Sequence, residues 1–216
     1  MRVGWGPPIL ALVLSAAWTA ARGESPGWVE GRVSLEIEGV AFADVAPIVV
    51  YLEPARGASG SPSGSDSLPE IRQHNARFTP GFLAVSVGQT VDMPNDDRIY
   101  HNVFSYSRGN AFDLGLYPGG TARQVTFDRP GVIKIYCSIH ESMNATVFVA
   151  PTPHFAVVGA DGRFTVAGVP PGSWRLRTWC ERLPDTQREL EIRAGRATRI
   201  EAALGGPSHE PTPARP

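Results

Sequence analysis

The chain has 216 residues, 42% of them hydrophobic and 19% charged, with a formal net charge of −1. That is enough chain for one or two domains with real cores, and it lacks the basic excess that nucleic acid or an anionic membrane surface would draw on. Lys134 is the single lysine, so the positive charge is almost wholly arginine, a compositional bias and not a binding surface.

Residues 1–23 read as a signal segment, not as fold. Arg2 precedes an apolar run from Ile9 to Trp18, and small residues Thr19, Ala20 and Ala21 follow. The run is too short to span a bilayer but suits a secretory signal cleaved near Ala21 or Gly23, with an uncleaved anchor as the alternative. The expected location is therefore periplasmic or secreted, with no membrane span in the mature chain. Export places Cys137 and Cys180 in an oxidising compartment, where two cysteines suggest a Cys137–Cys180 disulfide as the alternative to any metal role.

Beyond the signal, helical periodicity is nearly absent. Short alternating apolar runs broken by Gly, Pro, Asn and Asp predict an all-β chain. "WVEGRVSLEIEGV" and "APIVVYLEP" are the first strand candidates, and residues 57–69 form a Gly/Ser-rich loop. From residue 70 to 150 come "FLAVSV", "TVDM", "NVFSY", "ARQVTF", "GVIKIYC" and "ATVFV". A second group, 151–204, holds "FAVVG", "RFTVAGV", "SWRLRTWCERL", "RELEIRA" and "TRIEAAL", with turns at "ADGR" and "VPPG". Residues 205–216 read as a disordered tail.

The chemistry concentrates in "YCSIHESMNATVFV". Alternation puts Ile133, Ile135 and Cys137 on one face of a strand and Lys134 and Tyr136 on the other, so Cys137 ends the strand pointing inward. Ala145, Val147 and Val149 give the next strand a similar face. The connection between them carries His140 and Met143, so a thiolate, an imidazole and a thioether converge, a soft donor set that favours copper. A second imidazole must come from elsewhere. His209 lies in the tail, His154 in the second group and His74 before a strand in "IRQHNARF"; His101, at a strand edge after the polar turn "MPNDDRIY", is best placed. Met93 reads as core, Cys180 as a buried inert thiol, and the "NAT" at 144–146 as part of a strand and not a glycosylation site. Asp96 and Asp97 read as turn-capping groups before His101.

"VSVGQTVDMPNDDRIYHNVF" followed by "FDRPGVIKIYCSIHESMNATVFV" resembles the cupredoxins, the blue-copper proteins, over about residues 70–150. The C-x-x-H-x-x-M loop is similar to the short ligand loop of the amicyanin and plastocyanin type. The resemblance implies a Greek-key β-sandwich holding one mononuclear type 1 copper through His101, Cys137, His140 and the axial Met143. It also implies that Asn102 ties the two ligand-bearing loops together. Ile139 and Glu141 depart from the usual pattern around the second histidine, and Glu141 places a charge where an apolar patch is usual.

"FAVVGADGRFTVAGVPPGSWRLRTW" resembles the carboxypeptidase regulatory-like, or transthyretin-like, β-sandwich, a likeness that carries fold and not function. It implies that residues 24–56 supply the first strands of that sandwich and 151–204 the rest, with the cupredoxin inserted between; the alternative gives 28–54 to the cupredoxin. Exported chains joining these modules resemble methylamine-utilisation-like proteins. That implies single-electron transfer with redox partners in the cell envelope, such as a dehydrogenase or oxidase, and no substrate turnover. The competing readings are a copper-binding or sensing module without redox partners, and an interaction sandwich with a degenerate site.

Overall fold

The structure, a computed structural model, describes residues 25–55 and 68–205. The expected signal segment (residues 1–23), residues 57–67 of the Gly/Ser-rich loop, residues 206–216 of the expected tail and His209 lie outside the described residues. The described chain is all-β apart from one four-residue helix, Phe42–Val45. In chain order the strands are β1 (Gly27–Leu35), β2 (Ile48–Pro54), β3 (Arg72–Gln73), β4 (Phe78–Thr79), β5 (Phe82–Ser86), β6 (Thr90–Asn95), β7 (His101–Ser105) and β8 (Phe112–Tyr117). There follow β9 (Thr121–Thr126), β10 (Gly131–Tyr136), β11 (Asn144–Ala150), β12 (Phe155–Val157), β13 (Arg163–Val169), β14 (Gly172–Cys180), β15 (Leu183–Ile192) and β16 (Ala197–Leu204).

Four sheets result. One sandwich packs β4-β3-β6-β9 against β5-β11-β10-β7-β8; the other packs β13-β1-β16 against β12-β2-β14-β15. The second sandwich draws β1 and β2 from before residue 68 and the rest from after residue 150, and β2 pairs with β12 across that interval. The inward faces make two cores. Ile133, Ile135, Val147 and Val149 meet Val91, Met93 and Phe127 in one, while Val29, Val33 and Phe164 meet Leu52, Trp174 and Leu176 in the other.

A third apolar cluster joins the sandwiches. Val49 and Tyr51 of β2, with Phe155 and Trp179, meet Phe148, Ala150, Phe82, Ala84 and Val132. The Trp179 ring lies 4.9 Å from Phe148 and stacks on Phe82 at 5.9 Å. This explains the unbroken apolar run Ile48–Leu52: β2 is buried on both faces, one toward its own core and one toward the neighbouring sandwich. Lys134, which alternation turns away from the core, reaches the same boundary and pairs with Glu181.

The helix Phe42–Val45 and the short strands β3 and β4 were not among the predicted elements, and two longer strands also differ from the sequence expectation. β8, "FDLGLY", was not among the predicted strands because its parity breaks. Gly115 takes φ 63°, and its N–H bonds Asp113 Oδ1 at 2.8 Å. The inward residues therefore run Phe112, Leu114 and then Tyr117, one step out of alternation, as at a β-bulge. β15 starts at Leu183, well before "RELEIRA", and admits Pro184 because it is an edge strand, where a missing N–H costs no ladder bond.

Candidate metal centre

β7 and β10 are antiparallel neighbours with Phe104 opposite Tyr136. His101, the first residue of β7, and Cys137, the residue after β10, therefore arrive at the same end of the sandwich. The 137–143 loop is closed by its own backbone: Cys137 N–H donates to Met143 O at 3.2 Å, and Met143 N–H to His140 O at 3.0 Å. These bonds fold the loop back over His101.

Three of the four expected donors meet. Cys137 Sγ and one ring nitrogen from each of His101 and His140 lie within 4.8 Å of one another. Cys137 Sγ is 3.9 Å from His101 Nδ1, and the two imidazoles are tilted with ring centroids 5.0 Å apart. With metal–sulfur and metal–nitrogen bonds of about 2.3 and 2.0 Å, a trigonal ion needs its donors about 3.8 Å apart, so the Cys137–His101 spacing fits. Met143 is fully buried in the same core cluster as Cys137, at the end of the loop.

The hydrogen bonds leave the donor atoms free for an ion. His140 Nδ1 is buried and makes no hydrogen bond among the described residues. Such an atom costs about 1–3 kcal/mol unless something takes its lone pair or proton. His101 is wholly buried, and its Nε2 contacts Asp97 Oδ2 at 2.8 Å. A carboxylate only accepts, so the imidazole proton sits on Nε2, and Nδ1 presents its lone pair toward Cys137. A thiol and two imidazoles brought within 4.8 Å of one another suit a soft ion of the copper class.

The supports come from neighbouring residues. Asn102 Oδ1 accepts both the Ser138 N–H (2.8 Å) and the Ser138 hydroxyl (2.9 Å), tying β7 to the 137–143 loop. Asn95 organises the turn before His101: its amide donates to Ile99 O and Tyr117 O, and its Oδ1 accepts the Asp97 N–H. Burial pushes the Tyr117 phenol up to about 12, and its hydroxyl donates to Met93 O at 2.9 Å. Burial raises the Asp97 carboxyl too, but hydrogen bonds from Ala76 N–H, His101 and Asn75 N–H outweigh it and hold Asp97 below the ordinary carboxylate range.

Asp97, whose carboxylate contacts the His101 ring, reads from the sequence only as a turn cap, since an acidic residue in a polar turn usually caps it. Asp96 does face outward, forking with Arg72 at 2.6 and 2.8 Å. His74 is exposed, and Met93 is buried in the core. His154 is buried in the other sandwich, its ring edge-on to Trp174 at 5.1 Å. Cys137 and Cys180 are both free, and Cys180 Sγ donates to Val45 O at 3.0 Å within its own core.

A groove of about 560 Å³ lies elsewhere, on the open face of β13-β1-β16 among Glu30, Arg32, Arg163 and Arg199. It is a charged sheet surface crossed by the Arg199–Glu30 pair. An ion site is filled by its own donors and needs no such cavity, so the donor cluster is the better guide to chemistry.

A scan against protein families finds no matching family, and a search of curated proteins finds no match. Among solved structures, amicyanin from Paracoccus versutus is 21% identical, with 40% of this chain and 85% of that chain covered and a TM-score of 0.36. A purple cupredoxin from Nitrosopumilus maritimus is 26% identical, with 38% of this chain and 99% of that chain covered and a TM-score of 0.34. A mutant amicyanin in its Cu(I) form is 23% identical, with 46% and 98% covered and a TM-score of 0.37.

Proposed function

We propose that this is an exported type 1 copper protein that carries single electrons between redox partners of the cell envelope, such as a dehydrogenase or oxidase. In this reading residues 70–150 form a cupredoxin set into a transthyretin-like sandwich built from 24–56 and 151–204. His101, Cys137 and His140 are the strong ligands, and Met143 is the weak axial one.

The observation that carries the reading is the convergence of Cys137 Sγ with one ring nitrogen from each of His101 and His140 at the same end of the sandwich. Bound copper supplies a one-electron couple. The residues of the chain hold the site in one geometry: Asp97 sets the face of His101, and Asn102 fixes the loop that carries Cys137. A geometry fixed in advance limits rearrangement between oxidation states.

The rim supports docking of a protein partner. Ile99, Tyr100, Leu116 and Ile139 are each at least half exposed, and they flank His101, Asn102 and His140 in sequence or across β7–β8. Such a patch next to a solvent-side imidazole suits short-lived contact with another protein. Among the described residues no helix is long and apolar enough to cross a membrane.

Copper titration tests the site. Cu(II) is expected to give an intense visible thiolate-to-copper band at one equivalent, absent in Cys137→Ser. Voltammetry is then expected to give a reversible one-electron wave. A colourless protein overturns the copper reading, and a blue protein without a reversible wave turns it toward storage or sensing.

A further inference from the structure

The turn before His101 is gripped from two directions. On one side lies the β3–β4 hairpin. His74 and Arg77 exchange backbone hydrogen bonds at 2.9 and 3.2 Å around Asn75 and Ala76, both of which are left-handed, at φ 53° and 51°. That is the two-residue hairpin turn normally occupied by Asn-Gly, here with alanine in the glycine position. Two successive left-handed residues turn their N–H groups toward one point and make an anion-binding nest. The anion here is the Asp97 side chain: Asn75 N–H donates to Oδ1 at 2.7 Å and Ala76 N–H to Oδ2 at 2.9 Å. The Arg72 fork on Asp96 and the Asp96 N–H bond to Gln73 O (2.9 Å) fasten the same hairpin to the same turn.

On the other side lies the β8–β9 turn. A Cβ at Gly119 would stand 1.8 Å from Asp97 O, so Gly119 packs against the Asp97 backbone at a distance that any side chain would prevent. Gly120 N–H donates to Asn95 O at 2.7 Å. Asp97 is thus held at its backbone by one turn and at its carboxylate by another, and Oδ2 is left 2.8 Å from His101 Nε2.

We propose that the Asn75–Ala76 nest is a positioning element for His101: it aims the Asp97 carboxylate, which fixes the imidazole in the Nε2–H tautomer with Nδ1 facing Cys137. The inference rests on the copper reading for its consequence, but the tautomer itself is a property of the metal-free protein. The left-handed alanine stands where glycine would be unstrained. The Ala76 methyl packs against the core, and its N–H is occupied by Asp97. An amide at position 97 cannot reproduce the arrangement. It has one acceptor oxygen for three donors, and its NH2 would face either an N–H group or the imidazole, favouring the Nδ1–H form that blocks ligation.

The test is ¹⁵N NMR of the histidine rings in metal-free protein, paired with copper affinity by chelator competition. Wild type is expected to show His101 as a single Nε2–H tautomer. Asp97→Asn is expected to populate the Nδ1–H form and weaken copper binding by about 10–100-fold. Ala76→Val, a β-branched residue that resists positive φ, is expected to move both readouts the same way although residue 76 does not touch the imidazole. Ala76→Gly, which keeps the turn, is expected to preserve the tautomer. Gly119→Ala is expected to act like Ala76→Val from the opposite side. Should Ala76→Val fail to fold, Asp97→Asn and Gly119→Ala carry the decision. An unchanged tautomer in Asp97→Asn overturns the role of the carboxylate, and an unchanged tautomer in folded Ala76→Val overturns the role of the nest. A wild type whose tautomer depends on Asp97 but which binds no copper leaves the positioning element standing and removes the copper reading.

Discussion

The two sandwiches carry the same reactive side chains in different company. Each has a buried free thiol and a histidine with a buried nitrogen that finds no partner among the described residues: Cys137 with His140 in one, Cys180 with His154 in the other. Cys180 donates to a backbone carbonyl, and His154 lies edge-on to an indole, so each is absorbed by its own core. Cys137 and His140 sit at an open sandwich end, where loops from β7 and β10 bring a second imidazole and a carboxylate behind it. Burial and residue type do not separate these cases. Convergence at a strand end does.

The comparison breaks most severely at Trp174, the largest fully buried side chain in the second core, with its indole N–H donating to Pro170 O at 2.9 Å. Trp174→Ala is expected to cost about 3–5 kcal/mol in chemical denaturation, with the visible copper band retained in the fraction still folded. If the band disappears while that core is intact by fluorescence and circular dichroism, the metal site depends on the second sandwich more closely than its hydrogen bonds indicate.

His154 offers a smaller, pH-dependent break. Burial lowers its folded-state value, so folded His154 stays neutral where the unfolded chain takes a proton. Its contribution is complete above the unfolded value near 6.5. Stability is then lost as pH falls below that value, until the lower folded-state pKa is reached. The expected slope is at most about 1.4 kcal/mol per pH unit. Melts of wild type and His154→Phe between pH 7.5 and 5 should diverge in that direction. Parallel curves would mean that the ring is wet enough to charge in place.

Lys134→Ala should have the smallest effect. Its pair with Glu181 spans the two sandwiches, but the side chains are 36% and 54% exposed. The expected loss is about 0.2–1 kcal/mol, shrinking with added salt. A larger, salt-insensitive loss would assign the boundary to this contact and away from the Trp179–Phe148–Phe82 stack.

The legible parts of the sequence were those in which neighbours along the chain are neighbours in space. Alternation in "GVIKIYC" and "ATVFV" gave the strands and the inward face of Cys137, and the seven-residue span to Met143 made one loop of three donors. β8 was not legible because the left-handed Gly115 breaks the period on which alternation depends. Asp97 was not legible either: four residues before a histidine, its sequence surroundings match those of Asp96, which points the other way.

What the sequence determined by itself was local: an all-β chain, its strand faces, and a short loop rich in soft donors, because pleat parity and turn chemistry act within a few residues. The polar turn before a strand edge singled out His101 in the sequence; tertiary structure brought it to Cys137 and decided which carboxylate stands behind it. The hairpin that grips Asp97 lies 21 and 22 residues upstream, and His101 lies 36 residues before Cys137. Contacts at that separation are set by how sheets pair and pack, and no local pattern of residues encodes them.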